Sequence, residues 1–183
     1  QMPINNARAR YLERRPEIVR NKTVLELGAG CGLVGVACGI LGATRVVMTD
    51  LQYALPLMRE NVERNANDTQ CPIECKECDW FSPASIDELF GNADGPPDVI
   101  LVADCVWLSS LIVPLLQTLK AYTTHSHTKV LITYQQRGRE AHEEFMEGIH
   151  DLFNVIYVDT EKSAGLAKPD VFHVFECSKK SGS

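Results

Sequence analysis

The sequence predicts an α/β protein with a doubly wound, mostly parallel sheet of seven strands and an antiparallel edge strand. Short apolar segments alternate with helical ones five times between residues 23 and 152, as parallel strands joined by crossover helices do. Two strand segments then follow with no helix between them, which predicts the antiparallel edge. With 183 residues, the chain has the length of one domain.

Each element is predicted from its own pattern of apolar residues. Residues 98–104 are nearly all apolar, which is typical of a strand covered by helices on both faces. Residues 53–65 place Leu55 and Met58 on one face of a helix, and Gly42 is the expected glycine after the helix at 33–41. The predicted strands are 23–27, 45–50, 72–80, 98–104, 129–134, 155–158 and 171–177. The predicted helices are 33–41, 53–65, 86–90, 111–122 and 139–152.

Residues 1–22 form a basic segment ahead of the main domain, which we place at residues 23–183. The segment holds six basic residues against two acidic ones. Its apolar residues, among them Tyr11, Leu12 and Val19, lie between these charges as in a surface helix. The pattern predicts a solvated helix face, and a docking surface for an acidic partner is the alternative.

Composition excludes several classes of protein. Eighteen basic and 24 acidic residues give a net charge of −6, which argues against a protein that grips nucleic acid by charge. No apolar run is long enough to span a membrane, and no secretory signal is visible, so we expect a soluble protein. Seven cysteines, an odd number, favour a reducing compartment, the cytoplasm or also the nucleus. Cys71, Cys75 and Cys78 lack a fourth ligand nearby, so we expect no metal site.

Acidic residues gather where the predicted parallel strands end, at the sheet edge that binds ligands in such folds. Asp50 ends the second strand, Asp79 lies at the end of the third, and Asp104 ends the fourth. The first strand leads into a glycine-rich turn over residues 26–32 (ELGAGCG), which opens a helix. Glycines there let a ligand approach the backbone and its free N–H groups closely. This edge is therefore the predicted functional site.

The strand ends predict an adenosine cofactor, either a dinucleotide or S-adenosylmethionine. Asp50 lies 22 residues beyond Gly28, where an acid accepts hydrogen bonds from a ribose diol. Residues 30–35 have the pattern GxGxxG, which keeps NAD as the alternative. Glu26 would repel a pyrophosphate, but it suits the cationic amino group of a methionine moiety. The acid and the indole at positions 79–80 are placed for an adenine amine and its ring, which also favours S-adenosylmethionine.

In these segments the sequence resembles the seven-β-strand methyltransferases, class I enzymes with a Rossmann-like sheet. It is most similar to family 16, eukaryotic enzymes that mainly methylate lysine side chains of other proteins. The matching segments are VLELGAGCGLVG (24–35), VVMTD (46–50), DW (79–80) and DVILVADCVW (98–107). The resemblance implies S-adenosylmethionine as cofactor and S-adenosylhomocysteine as product. The predicted cofactor-binding residues are Glu26, Gly28, Ala29, Gly30, Gly32, Asp50, Leu51, Asp79, Trp80 and Ala103.

The same resemblance implies Asp104 and Trp107 as catalytic residues. The family often has Asp-x-x-Tyr or Asp-x-x-Phe at this point, and here the aromatic residue is Trp107. We expect Asp104 to orient the acceptor amine and Trp107 to pack on its aliphatic stem or its cationic form. For Trp107, a core aromatic that anchors the next helix is an equal alternative. Tyr134, at the end of the fifth strand, is a weaker candidate for which we favour a packing role.

Together these features predict methyl transfer from S-adenosylmethionine to a nitrogen acceptor, preferably a lysine side chain of a partner protein. No Pro-Pro follows Asp104, which makes base amines and glutamine amides unsuitable acceptors. A small-molecule N-methyltransferase and a non-catalytic S-adenosylmethionine-binding module are the alternatives. We expect a monomer that binds neither nucleic acid nor membrane. Because family members carry a longer, tryptophan-containing N-terminal segment, we also expect a chain truncated upstream of residues 1–22.

Overall fold

The computed structural model describes residues 3–91, 95–159, 161–162 and 172–180. Its centre is a sheet of seven strands in the order β3-β2-β1-β4-β5-β7-β6. The strands are β1 (Thr23–Leu27), β2 (Arg45–Asp50), β3 (Ile73–Glu77), β4 (Val99–Ala103), β5 (Lys129–Gln135), β6 (Phe153–Tyr157) and β7 (Phe172–Lys179). The helices are α1 (Pro3–Arg14), α2 (Leu33–Ile40), α3 (Leu55–Arg64), α4 (Ile86–Phe90), α5 (Ser109–Tyr122) and α6 (Arg139–Leu152).

The pairing of the strands confirms the predicted α/β fold. Strands β1 to β5 pair in parallel, and β7 pairs antiparallel with both β5 and β6. Strand β1 lies between β2 and β4, so that Leu27 has Thr49 on one side and Val102 on the other. The strand order reverses at this point, and the carboxyl edge of β1 and β4 is therefore the place where such sheets bind ligands.

Helices cover both faces of the sheet and produce two apolar cores. One core joins Leu25 and Ile100 to side chains of α4, α5 and α6, such as Phe145. The other joins Val46 and Met48 to side chains of α1, α2 and α3. This double cover explains the continuous apolar sequence of β4, whose five residues are all buried. No described helix has the length and apolar content that crossing a membrane requires.

The basic N-terminal segment is packed onto this framework by its apolar residues. Tyr11, Leu12 and Val19 are fully buried and belong to the core beneath α2 and α3. The Tyr11 hydroxyl donates a hydrogen bond to the Glu176 carboxylate of β7. Charged side chains such as Arg10 stay exposed. Tyr11 and Leu12 therefore mark a buried face of α1, and Val19 is buried beyond the end of this helix.

Some predicted boundaries shift for local reasons. Strand β3 ends at Glu77 rather than at residue 80, because residues 79–82 form a tight turn in which the Ser82 N–H donates to the Asp79 carbonyl over 3.0 Å. Strand β6 starts at Phe153, directly where α6 ends, without the intervening loop that we predicted. The predicted last strand begins at residue 171, which lies outside the described residues.

Candidate active site

A cavity of about 580 Å³ lies at the carboxyl ends of strands β1 to β4. Its volume falls within the range of roughly 300–1,000 Å³ that is usual for small-molecule sites. The cavity therefore forms where the strand-end residues were predicted to meet. Its lining residues are Gly28, Ala29, Gly30, Asp50, Leu51, Tyr53, Cys78, Asp79, Trp80, Phe81, Ala103, Asp104, Cys105, Trp107, Leu111 and Arg137.

The glycine turn after β1 forms one wall of the cavity. Gly28 has a φ of 65°, and a Cβ atom there would lie 2.7 Å from the Cys105 sulfur and 3.1 Å from the Trp80 ring. Both the backbone conformation and the close packing therefore require glycine at this position. Gly30 also has a positive φ, but among the described residues no atom outside its chain neighbours lies within 4 Å of a Cβ placed there. The turn thus presents bare backbone to the cavity.

Asp50 is held at the end of β2 by two main-chain hydrogen bonds. Its Oδ2 accepts from the Gly30 N–H over 2.8 Å, and its Oδ1 accepts from the Leu51 N–H over 2.7 Å. These bonds tie the carboxylate to the glycine turn, which fixes its direction. A carboxylate has about four lone-pair positions, so both oxygens keep room for the hydroxyl groups of a ribose.

Asp79 and Trp80 lie beyond the end of β3, in the tight turn that ends the strand. Asp79 Oδ1 accepts from the Phe81 N–H over 3.0 Å, and the Trp80 ring rests against Gly28. Cys78 precedes them, its sulfur 3.2 Å from the Tyr122 hydroxyl oxygen, and burial raises the pKa of this thiol. A neutral thiol and an indole make this part of the cavity apolar, as an adenine ring requires.

Asp104 follows β4 in an unusual backbone conformation. Its φ is 57°, in the left-handed region, and its N–H donates to the Thr133 carbonyl over 2.7 Å. Only 6% of its side chain is exposed, and its carboxylate is paired with the Arg137 guanidinium. Trp107 also lines the cavity, but half of it is exposed, so the alternative of a core aromatic is wrong.

Aromatic side chains surround the cavity on the solvent side. Phe81 is 67% exposed, Tyr53 is 79% exposed, and both line the cavity together with Trp107. Large exposed aromatic groups close together are uncommon on the surface of a monomer unless they contact a ligand or a partner. The sequence analysis did not assign six lining residues to the site, although all but Leu111 lie within four residues of the end of a strand: Tyr53, Cys78, Phe81, Cys105, Leu111 and Arg137.

Eight of the ten predicted cofactor-binding residues and both predicted catalytic residues line the cavity. The other two, Glu26 and Gly32, are not among its lining residues. Glu26 is buried in β1, and one of its carboxylate oxygens lies 2.9 Å from the position of a Cβ on Gly35 in α2. Gly32 precedes α2 and packs against Met48. Tyr134 is buried and its hydroxyl oxygen lies 2.9 Å from Nδ1 of His142, in agreement with a packing role.

The sheet order is that of the class I methyltransferases, whose methyl donor is S-adenosylmethionine. The residues present suit this donor, with bare backbone at Gly30, a carboxylate at Asp50 and an indole at Trp80. The model of the lysine methyltransferase family (family 16) matches residues 5–152. The chain belongs to this family, which decides against NAD.

Named relatives agree with the family. Protein-lysine N-methyltransferase EFM6 of Saccharomyces cerevisiae is 31% identical over 171 residues, covering 87% of this chain and 68% of that protein. Protein N-lysine methyltransferase METTL21A of Danio rerio is 32% identical over 155 residues, covering 83% of this chain and 67% of that protein. A TehB-like methyltransferase structure from Corynebacterium glutamicum has a TM-score of 0.66 at 16% identity, over 95% of this chain and 88% of that one, which shows the fold alone.

Proposed function

We propose that this protein transfers a methyl group from S-adenosylmethionine to the side-chain nitrogen of a lysine in a partner protein. The observation that carries this proposal is the position of Asp104, a buried carboxylate in the wall of the same cavity as the glycine turn and Asp50. The relatives named above are protein-lysine methyltransferases, which supports the choice of acceptor. The exposed aromatic residues around the cavity suit contact with a protein surface.

The chain's own residues divide the work between cofactor and acceptor. When bound, S-adenosylmethionine supplies an electrophilic methyl group. Asp50 and the glycine turn would hold its ribose and methionine parts, and Asp79 with Trp80 would hold the adenine. Asp104 would accept a hydrogen bond from the acceptor amine and so orient its lone pair, while Trp107 would pack on the aliphatic stem. Because displacement at a methyl group depends mainly on alignment, such positioning can contribute roughly 7–11 kcal/mol.

The acceptor must also lose a proton, because a free lysine has a pKa of about 10.4 and only the neutral amine attacks. Burial against the cavity wall that holds Trp107 and Phe81 disfavours the ammonium form, whereas the Asp104 carboxylate favours it, so the acceptor would bind as an ammonium group and release its proton to solvent water before the nitrogen attacks. These exposed rings would be covered by the acceptor protein, which excludes water from the reacting nitrogen. The aromatic side chains therefore serve both binding and deprotonation.

The proposal also covers the domain organisation, the cellular location and the oligomeric state of the protein. We assign methyl transfer to residues 23–183, against which the basic segment 1–22 packs through Tyr11 and Leu12. The seven cysteines are thiols and not disulfides, which suits the cytoplasm, with the nucleus as a second location. We propose that the protein acts as a monomer on protein, rather than on nucleic acid or at a membrane, in keeping with its net charge of −6.

The direct test is methylation with tritium-labelled S-adenosylmethionine. The purified chain is incubated with a eukaryotic cell extract and, separately, with EEF1A, which is named in a relative, EEF1A lysine methyltransferase 3 of Xenopus tropicalis. That relative is 31% identical over 139 residues, which cover 76% of this chain and 58% of that protein. We expect label in protein, and mass spectrometry should find methylated lysine.

Two variants separate the site from the rest of the surface. Asp104→Asn should lower the initial rate of labelling by at least 90%, a loss of at least about 1.4 kcal/mol in transition-state stabilisation. Asp68→Asn, which changes an exposed acid outside the cavity, should retain wild-type labelling. Label confined to small molecules, or to protein residues other than lysine, would contradict the proposed acceptor.

A further inference from the structure

The cavity that holds three aspartates also holds one arginine, and the two kinds of charge are in contact. Among the described residues that line it, Arg137 is the only basic one, against Asp50, Asp79 and Asp104. The Arg137 guanidinium is paired with Asp104, the carboxylate that we assign to the acceptor amine. A protein cation therefore occupies the position at Asp104 that a cationic acceptor would need.

The other two aspartates are held differently. Asp50 accepts from the main-chain N–H groups of Gly30 and Leu51, and Asp79 accepts from that of Phe81. Main-chain donors cannot leave when a ligand arrives, so these carboxylates keep their partners. The pair of Asp104 with Arg137 joins two side chains, and one of these can move.

The side chains of Asp104 and Arg137 differ in how far they can move. Asp104 is 6% exposed, directly follows β4, and its N–H is bonded to Thr133 of the neighbouring strand. Arg137 is 42% exposed and lies in the short connection between β5 and α6. Rotation of its side chain can carry the guanidinium into solvent, whereas the carboxylate stays in place. Since buried carboxylates are costly without a cation, another cation must then replace it.

We propose that Arg137 is a specificity-determining residue that occupies the acceptor position, and that an acceptor binds by exchanging its ammonium group for the Arg137 guanidinium at Asp104. The proposal rests on the proposed function, because it takes Asp104 as the acceptor carboxylate. Exchange favours cationic acceptors, since a neutral group that displaced Arg137 would leave the Asp104 charge without compensation. It also makes acceptor binding weaker than Asp104 alone would allow.

The test uses the butylammonium ion, which matches the four-carbon stem and the charge of a lysine side chain. The chain has two tryptophans, Trp80 and Trp107, and both line the cavity, so intrinsic fluorescence reports binding there. The protein is titrated with butylammonium chloride and, in parallel, with neutral butanol, both in the presence of S-adenosylhomocysteine. No methyl transfer is needed, so this experiment can succeed or fail independently of the test of the proposed function.

Three variants make the titration specific. Arg137→Gln removes the competing charge and should bind butylammonium at least threefold more tightly than the wild type, with unchanged affinity for butanol. Arg137→Lys keeps a competing cation and should remain close to the wild type. Arg139→Gln is the matched control, because Arg139 is exposed and pairs with Glu143 on α6, away from the cavity. Thermal unfolding curves verify that each variant is folded.

Several outcomes would overturn the proposal. Butylammonium binding by Arg137→Gln that is equal to or weaker than that of the wild type would make Arg137 a positioning residue for Asp104. An equal gain for butanol would mean that the variant only widens the cavity. Absence of butylammonium binding by both proteins would remove Asp104 as a cation position. A gain in Arg139→Gln as large as in Arg137→Gln would show a general charge effect.

Discussion

The three cavity aspartates differ in the groups that hold them, and this difference separates their roles. Asp50 and Asp79 are bound by main-chain N–H groups, which fix their direction and leave further lone pairs for a ligand. Asp104 is paired with the partly exposed side chain of Arg137. Two carboxylates are thus suited to a cofactor with hydroxyl and amine donors, and the third to a group that enters and leaves at each turnover.

Replacing Asp50 by asparagine should weaken cofactor binding by roughly 10-fold to 100-fold. The amide has one acceptor oxygen and no charge, so charge-assisted hydrogen bonds worth about 1.5–3 kcal/mol are lost. The measurement is calorimetric titration with S-adenosylhomocysteine, and Asp68→Asn, outside the cavity, serves as the control. Wild-type affinity in Asp50→Asn would contradict the ribose-binding role.

The sequence predicted the positions of site residues correctly where the order of the strands alone determines the position. Asp50 and Asp104 lie at the ends of parallel neighbours of β1, so they had to meet at one edge. The direction of the Glu26 side chain was harder to predict, because side chains alternate between the two faces of a strand. Glu26 points to the α2 face, as Val24 does, whereas Leu25 and Leu27 face the other core.

Arg137 could not be assigned from the sequence, because its partner lies 33 residues earlier in the chain. The feature that brings Arg137 to Asp104 is the order of the strands in the sheet. β4 and β5 are parallel neighbours, and Ala103 is paired with Thr133. A basic residue four positions beyond Thr133 can therefore reach Asp104, but this follows only once the pairing of β4 with β5 is known.

At the scale of elements, the glycines of α2 determine how closely this helix approaches the sheet. A Cβ on Gly35 would lie 2.2 Å from the Met48 sulfur and 2.4 Å from the Met48 Cγ. Met48 itself is fully buried in β2. The helix thus packs with its backbone almost against the strand, which in turn places the glycine turn at the cavity. The sequence predicted the helix, but this close approach depends on the facing side chains.

Gly35→Ala should therefore lower the free energy of unfolding by about 1–3 kcal/mol, the usual cost of overpacking, although alanine is the better helix former. Gly138→Ala is the control, because in the described part of the chain no atom beyond its neighbours in sequence lies within 4 Å of a Cβ there, and its cost should stay below about 1 kcal/mol. Urea denaturation measures both. Equal free energies of unfolding for the two variants would show that α2 can shift away from β2 without loss of stability.

On the scale of the whole molecule, the chain is tied together across the sheet by α1 and β7. The buried Tyr11 of α1 donates its hydroxyl hydrogen to Glu176, and burial together with this hydrogen bond raises the pKa of Tyr11. Because the phenol stays protonated, the bond persists over the ordinary pH range. Two elements 165 residues apart thus share one polar contact above an apolar core.

Tyr11→Phe should destabilise the protein by about 1.5–3 kcal/mol, since it leaves a carboxylate without its donor. Tyr157→Phe provides a matched comparison: its hydroxyl pairs with His150 at an exposed position, so its loss should cost less than about 0.5 kcal/mol. Both values follow from thermal or urea unfolding of the variants. A similar small effect for the two would mean that α1 is held by apolar contacts alone.

The gathering of aspartates at one edge of the sheet also affects how fast partners arrive. Three carboxylates against one guanidinium make the cavity entrance negative, within a chain whose net charge is already −6. Such a field attracts lysine-rich surfaces over distances of about 10 Å at 0.1 M salt, and it fades as ionic strength rises. The rate of encounter with a basic protein should therefore fall with added salt, while the later chemical step, shielded inside the cavity, should change little.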